Sequence, residues 1–206
     1  MISRRDRVII MARGESSRMG QPKGALSSPG DSGISFLGKI VDLYSRNGLG
    51  GIVVTTLELT ELYQSLLDTE DGFEVHGFSG GGDTARTLAY GWSALGKSAT
   101  HVWAHPVDLP MVANTTIVRL KKESLRSPEE ILRPCFKDRI GHPVVLPTEG
   151  SIGFGESHLW RDGPMRSIIA EAKREGDRGA QRLVPVDDMG VVFDFDEPSD
   201  LENHSF

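Results

Sequence analysis

The sequence predicts an α/β protein with a mainly parallel sheet that is covered by helices on both faces. Apolar runs such as Val8–Met11 and Gly51–Thr56 are β-branched and uncharged, which is typical of buried parallel strands. Segments with apolar residues at helical spacing alternate with these runs through almost the whole chain. Because alternating strands and helices favour parallel pairing, the order of the elements indicates this fold class.

Glycines and prolines set the limits of the predicted elements. Gly48 ends the first helix, a glycine-rich turn at 80–82 precedes the third, and Pro198 begins the last. The polar stretches 24–35 and 151–162 are predicted to be loops. The predicted strands are 8–11, 51–56, 73–78, 100–104, 131–136, 140–146, 182–186 and 191–196. The predicted helices are 37–44, 59–67, 85–95, 117–125 and 165–172, with a last one starting at Pro198.

Length and composition fit one domain over residues 1–206. The 206 residues are 38% hydrophobic and 25% charged, an ordinary balance for a soluble domain with a sizeable core. The net charge of −6 argues against a general nucleic-acid-binding protein. No apolar run approaches the roughly 20 residues of a membrane helix, and the N-terminus lacks a signal-peptide core. With Cys135 as the single cysteine, we expect a cytoplasmic protein with no nucleic-acid or membrane partner.

The first predicted strand runs into a loop with the composition of a phosphate-binding site. Gly14 and Gly20 let the backbone approach an anion, and Arg18 and Lys23 would neutralise it. The loop is not a Walker A motif, because its glycines are too far apart and Lys23 follows Pro22. The dinucleotide fingerprint Gly-x-Gly-x-x-Gly is also absent. An ordinary polar turn is the less favoured alternative.

Carboxylates lie just past one later predicted strand and within another. Asp108 lies just past the strand at 100–104, where one carboxylate together with phosphate oxygens would suit Mg²⁺. Asp194 and Asp196 alternate along a predicted strand and would share one face, where two like charges need a cation or donors. His101 and His105 are four residues apart, but no His-Glu-x-x-His helix supports a zinc site.

Five separated segments resemble the MobA/MocA-like molybdenum cofactor nucleotidyltransferases. Ala12–Lys23 resembles the signature loop Ala-Ala/Gly-Gly-x-Ser-x-Arg-Met-Gly-x-Pro-Lys, and Val107–Pro110 resembles the Asp-x-Pro motif. Asp194–Leu201 resembles the terminal Asp-Ile-Asp-Thr-Pro-Glu-Asp-Leu. Gly141–Val144 and Gly176–Arg182 are similar to segments of the MocA-like cytidylyltransferase branch. The resemblance implies a three-layer α/β/α sandwich of the Rossmann-like, nucleotide-diphospho-sugar transferase type.

The resemblance also implies roles for individual residues. The implied catalytic residues are Arg18, Lys23 and Asp108, and the implied metal ligands are Asp108 with Asp194 or Asp196. The implied nucleotide-binding residues are Ala12, Arg13, Gly14, Ser16, Arg18, Lys23, Gly81 and Gly82. His142 and Asp177 are implied to contact the acceptor, with His142 positioning it, since a phosphate nucleophile needs no general base. Arg13 departs from the family, which usually has Ala or Gly there.

These observations predict a Mg²⁺-dependent nucleotidyltransferase. It would transfer CMP or GMP from CTP or GTP to a phosphate acceptor and release pyrophosphate. The resemblance implies molybdopterin cofactor as the acceptor and a molybdoenzyme or its chaperone as a partner. One alternative is a transferase acting on a sugar- or lipid-type phosphate. A second alternative is a non-catalytic nucleotide-binding accessory protein, for which Arg13 is the only indication.

Overall fold

The computed structural model describes residues 6–13, 19–68, 71–79, 84–95, 99–148 and 181–202. The strands in these ranges are β1 (Arg7–Met11), β2 (Ser27–Ser28), β3 (Asp31–Ser35), β4 (Gly50–Thr56), β5 (Phe73–Phe78), β6 (His101–Pro106), β7 (Ile131–Phe136), β8 (Arg139–Ile140), β9 (Val144–Pro147) and β10 (Gln181–Pro185). The α-helices there are α1 (Phe36–Ser45), α2 (Thr60–Ser65), α3 (Thr84–Leu95), α4 (Asn114–Arg126) and α5 (Pro198–Glu202). Short 3-10 helices span Lys23–Ala25, Leu57–Leu59 and Met189–Val191. The predicted loop 151–162 and helix 165–172 lie outside the described residues.

A mixed eight-stranded sheet has the order β10-β7-β9-β6-β1-β4-β5, with β8 paired to β7. The strands β6, β1, β4 and β5 are parallel to one another, and β10 is parallel to β7. Only β9, among the strands of the main order, runs antiparallel to both of its neighbours. The prediction of a mainly parallel sheet is therefore confirmed, with one antiparallel strand inserted beside β6.

Alternate residues of the strands pack under helices on opposite faces of this sheet. Val8 and Ile10 of β1 belong to a buried cluster with residues of α1 and α4. Ile9 and Met11 point the other way and pack with residues of α3. Because successive strand residues alternate sides, one apolar strand supplies both cores. The predicted three-layer α/β/α arrangement is confirmed.

A third, smaller apolar cluster joins the segment after β1 to the C-terminal part of the described chain. Met19, Leu26, Phe36 and Phe195 are its buried members. The rings of Phe36 and Phe195 lie 5.0 Å apart in an edge-to-face contact, an arrangement that aromatic pairs prefer. This cluster therefore brings together two segments that are far apart in sequence.

The stretch 24–35 contains more structure than the predicted loop. It holds the 3-10 helix Lys23–Ala25 and a two-stranded antiparallel hairpin of β2 and β3. Gly30, with a φ of +75°, makes the turn between the two strands, a conformation that favours glycine. The polar composition marked the turn correctly but concealed the strands on each side of it.

The predicted strand 191–196 does not form. The backbone N–H of Gly190 donates to Asp188 Oδ1 at 2.9 Å, which stabilises the 3-10 helix Met189–Val191. The backbone N–H of Phe195 then donates to the carbonyl of Asp108 at 3.0 Å and not to a strand. The alternation on which the prediction rested persists, because Phe195 is buried and Asp194 is exposed.

Two further predicted elements are shorter than expected. The predicted helix 59–67 is reduced to α2, which follows a 3-10 helix. The predicted strand 140–146 is divided into β8 and β9. Between them, the N–H groups of Gly141 and His142 donate to the carbonyls of Pro134 and Val191, each at 2.8 Å, and Pro143 has no N–H to donate. None of the described helices combines the length and the apolar character needed to cross a membrane.

Candidate active site

The candidate site begins where β1 and β6 end side by side. The two strands are parallel, and Met11 lies opposite Pro106. The N–H of Val107 donates to the carbonyl of Met11 at 3.0 Å, so the pairing continues one residue past the strand. The loop starting at Ala12 and the loop carrying Asp108 therefore leave the sheet at the same edge, which is the usual ligand edge of a parallel sheet.

Ala12 is held on its other side by β4. Its N–H donates to the carbonyl of Val54 at 2.9 Å, and its carbonyl accepts from the Thr55 hydroxyl at 3.1 Å. The residue is buried. The start of the signature loop thus has a fixed backbone direction.

Lys23 connects this edge to two carboxylates. Its ammonium Nζ lies 3.2 Å from Asp108 Oδ2 and 2.5 Å from Asp196 Oδ1. The lysine side chain is 12% exposed, whereas that of Asp196 is 49% exposed, so the group opens to solvent on the Asp196 side. The next residue must be small, because a Cβ on Gly24 would lie 2.9 Å from the ring of Tyr63. Packing of α2 against this turn therefore helps to place the lysine.

Asp196 is positioned by its neighbours on both sides. The preceding residue, Phe195, is buried in the third apolar cluster and bonds to the backbone of Asp108. On the other side, Asp200 Oδ2 accepts from the N–H groups of Asp196 and Glu197 at 2.9 and 2.8 Å. This is a side-chain cap at the beginning of α5, in which a carboxylate of the first turn reaches back to free N–H groups.

The group carries more negative than positive charge. Burial raises the pKa of Asp108, the Lys23 ammonium opposes this rise, and the charges of Asp194 and Asp196 add to it. Burial alone would lower the pKa of Lys23, but hydrogen bonds and charge attraction from Asp196 and Asp108 outweigh it, so its pKa is raised. Burial is thus the main cause of the shift at Asp108, and the carboxylates are the cause at Lys23. Among the described residues of this group, the carboxylates outnumber the ammonium, which favours added positive charge.

The residues present fit a magnesium-type ion. Within the described ranges no group of three or more His, Cys, Asp or Glu side chains could hold a metal. However, Mg²⁺ prefers one or two carboxylates completed by phosphate oxygens and water. Asp108 and Asp196 already direct one oxygen each toward a common cation, the Lys23 ammonium. Asp194 is exposed and contributes charge near Asp108.

Arg13 turns toward β5, which is separated from β1 by β4. Its guanidinium carbon lies 4.1 Å from the centre of the Phe78 ring, at the end of β5. Phe78 in turn stacks on Tyr90 of α3, with ring centres 4.4 Å apart and nearly parallel planes. A guanidinium over an aromatic face is attracted by the ring quadrupole. The unusual residue of the signature loop therefore has an aromatic platform.

His142 lies beside Arg133 of β7. Burial, together with the nearby charges of Arg133 and His105, lowers the pKa of His142 to about 3. In the part of the chain that the structure describes, His142 Nδ1 and Arg133 Nε are buried and have no hydrogen-bond partner. A neutral imidazole of such low basicity suits positioning better than proton abstraction.

The structure leaves several implied site residues untested. Gly14, Ser16, Arg18, Gly81, Gly82 and Asp177 lie outside the described residues. Their roles stay predictions. Of the other implied residues, Lys23, Asp108 and Asp196 are in direct contact, and Ala12 and Arg13 follow β1. Asp194 is exposed with its charge near Asp108, and His142 lies beside Arg133.

A buried polar relay behind Asp108 was missed by the sequence patterns. The Tyr44 hydroxyl lies 2.8 Å from His105 Nδ1, and His105 Nε2 lies 3.0 Å from the carbonyl of Leu109. A carbonyl only accepts, so Nε2 carries the proton and Nδ1 accepts from the tyrosine. Burial lowers the pKa of His105 to about 4, which keeps the ring neutral. The relay fixes the carbonyl of Leu109, the residue after Asp108. Tyr44 and His105 are far apart in sequence, so no local pattern links them.

The fold, with this site at the carboxyl edge of its parallel strands, defines a Rossmann-like protein of the nucleotide-diphospho-sugar transferase type. A family profile, the MobA-like NTP transferase domain, matches residues 8–185. The chain belongs to this family. A search of curated protein sequences gives no significant match.

Solved structures show the same fold. Rv0371c from Mycobacterium tuberculosis H37Rv superposes with a TM-score of 0.72 at 21% identity, covering 98% of this chain and 97% of that chain. A structure of Rv0371c in complex with manganese gives 0.62 at 19% identity, covering 89% of each chain. The 4-diphosphocytidyl-2C-methyl-D-erythritol synthase from Anaerococcus prevotii gives 0.71 at 13% identity, covering 97% and 95%. Molybdopterin-guanine dinucleotide biosynthesis protein A from Archaeoglobus fulgidus gives 0.62 at 19% identity, covering 95% of each chain.

The relay predicts a pH dependence of stability that His105→Gln removes. The folded-state pKa of His105, about 4, lies below its ordinary value, so the unfolded chain binds the proton first as the pH falls. The stability due to the neutral buried ring is complete above pH ~6.5 and is lost toward pH ~4. Urea unfolding at several pH values should show the gap between wild type and variant shrinking by on the order of 3 kcal/mol between pH 7 and 4. Parallel curves for the two proteins would contradict a buried neutral His105.

Proposed function

We propose that this protein is a metal-dependent nucleotidyltransferase that transfers CMP, or alternatively GMP, from CTP or GTP to the phosphate of an acceptor. The observation that carries the proposal is the contact of Lys23 with Asp108 and Asp196 at the carboxyl edge of β1 and β6. Membership of the MobA-like NTP transferase domain family supports the reaction class. We expect the reaction to take place in the cytoplasm.

The proposed reaction places little covalent work on the protein. An oxygen of the acceptor phosphate attacks the α-phosphorus of the nucleotide and forms a new P–O bond. The bond from that phosphorus to the bridging oxygen of the β-phosphate breaks, and pyrophosphate leaves with the bonding electrons. The nucleophile is already ionised, so no proton needs to be removed. Positioning and charge neutralisation would therefore provide the rate enhancement.

The chain offers groups for this neutralisation. Asp108 and Asp196 would hold the divalent cation, with Asp194 adding negative charge nearby, and the bound cation would supply positive charge at the phosphates. Lys23, with Arg18, would offset the charge that grows on the departing pyrophosphate. Magnesium is our expectation, and the manganese complex of Rv0371c supports a divalent ion in this fold.

The nucleotide is proposed to lie along the signature loop. Gly14 and Ser16 would contact the phosphates with their backbone and hydroxyl groups. The backbone of Ala12 and Arg13 would border the base, as would Gly81 and Gly82. The Arg13 guanidinium contacts the Phe78 ring, which supports a role for the Arg13 side chain in lining one side of the nucleotide site. The MocA-like segments favour CTP over GTP.

The acceptor is proposed to bind near His142. His142 Nδ1 and Arg133 Nε are buried polar atoms without a partner in the described part of the chain, so a ligand there would satisfy both. Asp177 would also contact the acceptor. We propose a molybdopterin-type phosphate as the acceptor and a molybdoenzyme or its chaperone as the recipient of the product.

A second candidate is transfer to a sugar- or lipid-type phosphate. The TM-score of 0.71 with 4-diphosphocytidyl-2C-methyl-D-erythritol synthase supports it. This candidate would use the same loop and the same carboxylates and differ only in the acceptor. A non-catalytic nucleotide-binding protein is the third possibility, and only Arg13 suggests it.

Pyrophosphate release tests the reaction. The protein is incubated with Mg²⁺, each of the four nucleoside triphosphates and molybdopterin cofactor. We expect release with CTP, and Asp108→Asn should lower its rate by about 100-fold or more, because a metal-binding charge is lost. Asp138→Asn, in the exposed turn between β7 and β8, is the matched control and should retain the wild-type rate.

The result also separates the candidates. Release only when a sugar or lipid phosphate replaces molybdopterin cofactor as the acceptor would support the second candidate. Nucleotide binding without release for any acceptor would favour the accessory protein. Equal rates for wild type and Asp108→Asn would contradict the site.

The acceptor position is tested by His142→Ala. Removing a polar group that contacts the acceptor should raise the acceptor KM by about ten-fold and leave the CTP KM nearly unchanged. Steady-state kinetics with each substrate varied in turn measures both constants. His76→Ala on β5 serves as a control for loss of a histidine. An unchanged acceptor KM, or an equal rise in both constants, would place the acceptor elsewhere.

A further inference from the structure

We propose that Lys23 keeps the divalent cation from its carboxylates until a nucleoside triphosphate binds. In the nucleotide-free protein the lysine ammonium takes the oxygens that the metal would use, and the triphosphate draws it away. This inference rests on the proposed function, because it assumes that Asp108 and Asp196 are metal ligands. It adds an order to the binding steps: metal alone binds weakly, and metal with nucleotide binds tightly.

The geometry supports direct competition. The ammonium contacts Oδ2 of Asp108 and Oδ1 of Asp196, one oxygen from each carboxylate. A divalent cation that is shared by Asp108 and Asp196 would take its oxygens from the same two carboxylates and would compete with the ammonium for them. The two cations also repel each other, and because only 12% of the lysine side chain is exposed, solvent screens that repulsion only in part.

A bound triphosphate offers the Lys23 ammonium new partners in place of the two carboxylates. The ammonium loses two carboxylate contacts when it moves, and phosphate oxygens of a strongly negative ligand replace them. The carboxylates are then available to a metal that also contacts the phosphates. Binding of metal and nucleotide is therefore positively coupled, and each strengthens the other by the same factor.

The opposing interpretation is a purely structural ion pair. In that case Lys23 only fastens the turn Lys23–Ala25 to the Asp196 segment, and a metal uses other oxygens. Removing the lysine charge would then weaken the site or leave it unchanged. The two interpretations predict opposite effects of a neutral residue at position 23 on metal binding without nucleotide.

The test measures Mn²⁺ binding to the full chain without nucleotide or acceptor. Free Mn²⁺ is followed by electron paramagnetic resonance during titration of wild type, Lys23→Met and Lys23→Arg. We expect Lys23→Met to bind Mn²⁺ about ten-fold or more tightly than wild type, and Lys23→Arg, which keeps the charge, to bind as weakly as wild type. Adding Asp196→Asn to Lys23→Met should abolish the gain.

Lys121→Met is the matched control. Lys121 of α4 is also partly buried, and its ammonium donates to the carbonyl of Asn47. This variant should bind Mn²⁺ as wild type does. Circular dichroism and thermal unfolding establish that each variant is folded, and Lys23→Gln replaces Lys23→Met if the latter does not fold.

The proposal is overturned if the neutral variant binds Mn²⁺ no more tightly than wild type, including the case in which neither binds it. It is also overturned if Lys23→Arg gains affinity to the same extent, because the charge would then not be the cause. The titration contains neither nucleotide nor acceptor. Its failure would leave the proposed reaction standing, and a failure to release pyrophosphate would leave the competition between Lys23 and the metal standing.

Discussion

The ammonium of Lys23 joins carboxylates that lie 85 and 173 residues away in sequence. Asp108 stands at the end of a central strand, and Asp196 lies in a segment without strand pairing. With Asp194 nearby, the described residues of this group carry more negative than positive charge. Burial raises the pKa of Asp108 and the charges of Asp194 and Asp196 add to the rise, whereas Asp196 and Asp108 raise the pKa of Lys23. Such a group is suited to a divalent cation and a triphosphate that arrive together.

Apolar packing makes this polar arrangement possible. Phe195 is buried against Phe36 and bonds to the backbone of Asp108, so it brings its neighbour Asp196 to the lysine. Behind Asp108, the relay from Tyr44 through His105 to Leu109 fixes the loop from the core side. The charged residues therefore need little rearrangement of their own backbone, and such preorganisation is the main contribution that a protein can make to phosphoryl-type transfer.

The sequence predicts those features that depend on local patterns. Uncharged β-branched runs identified β1 and β4, and helical spacing identified α1, α3 and α4, because burial imposes the same period on both sequence and structure. Short motifs also placed Lys23, Asp108 and Asp196 among the candidate residues. The structure adds what depends on distant contacts: the ammonium bridge, the Tyr44–His105 relay, and the aromatic platform under Arg13. The prediction of a strand at 191–196 was wrong because it also depends on distant contacts. The alternation of buried and exposed residues there comes from packing of Phe195 in the third apolar cluster and not from strand pairing.

A crystal structure with Mg²⁺ and a non-hydrolysable CTP analogue tests the central claim most directly. We expect Asp108 and Asp196 to hold the metal and Lys23 to have moved onto the phosphates. We also expect the base to lie beside the backbone of Ala12 and Arg13. A nucleotide bound elsewhere, or a lysine that still bridges both carboxylates with the nucleotide in place, would contradict it.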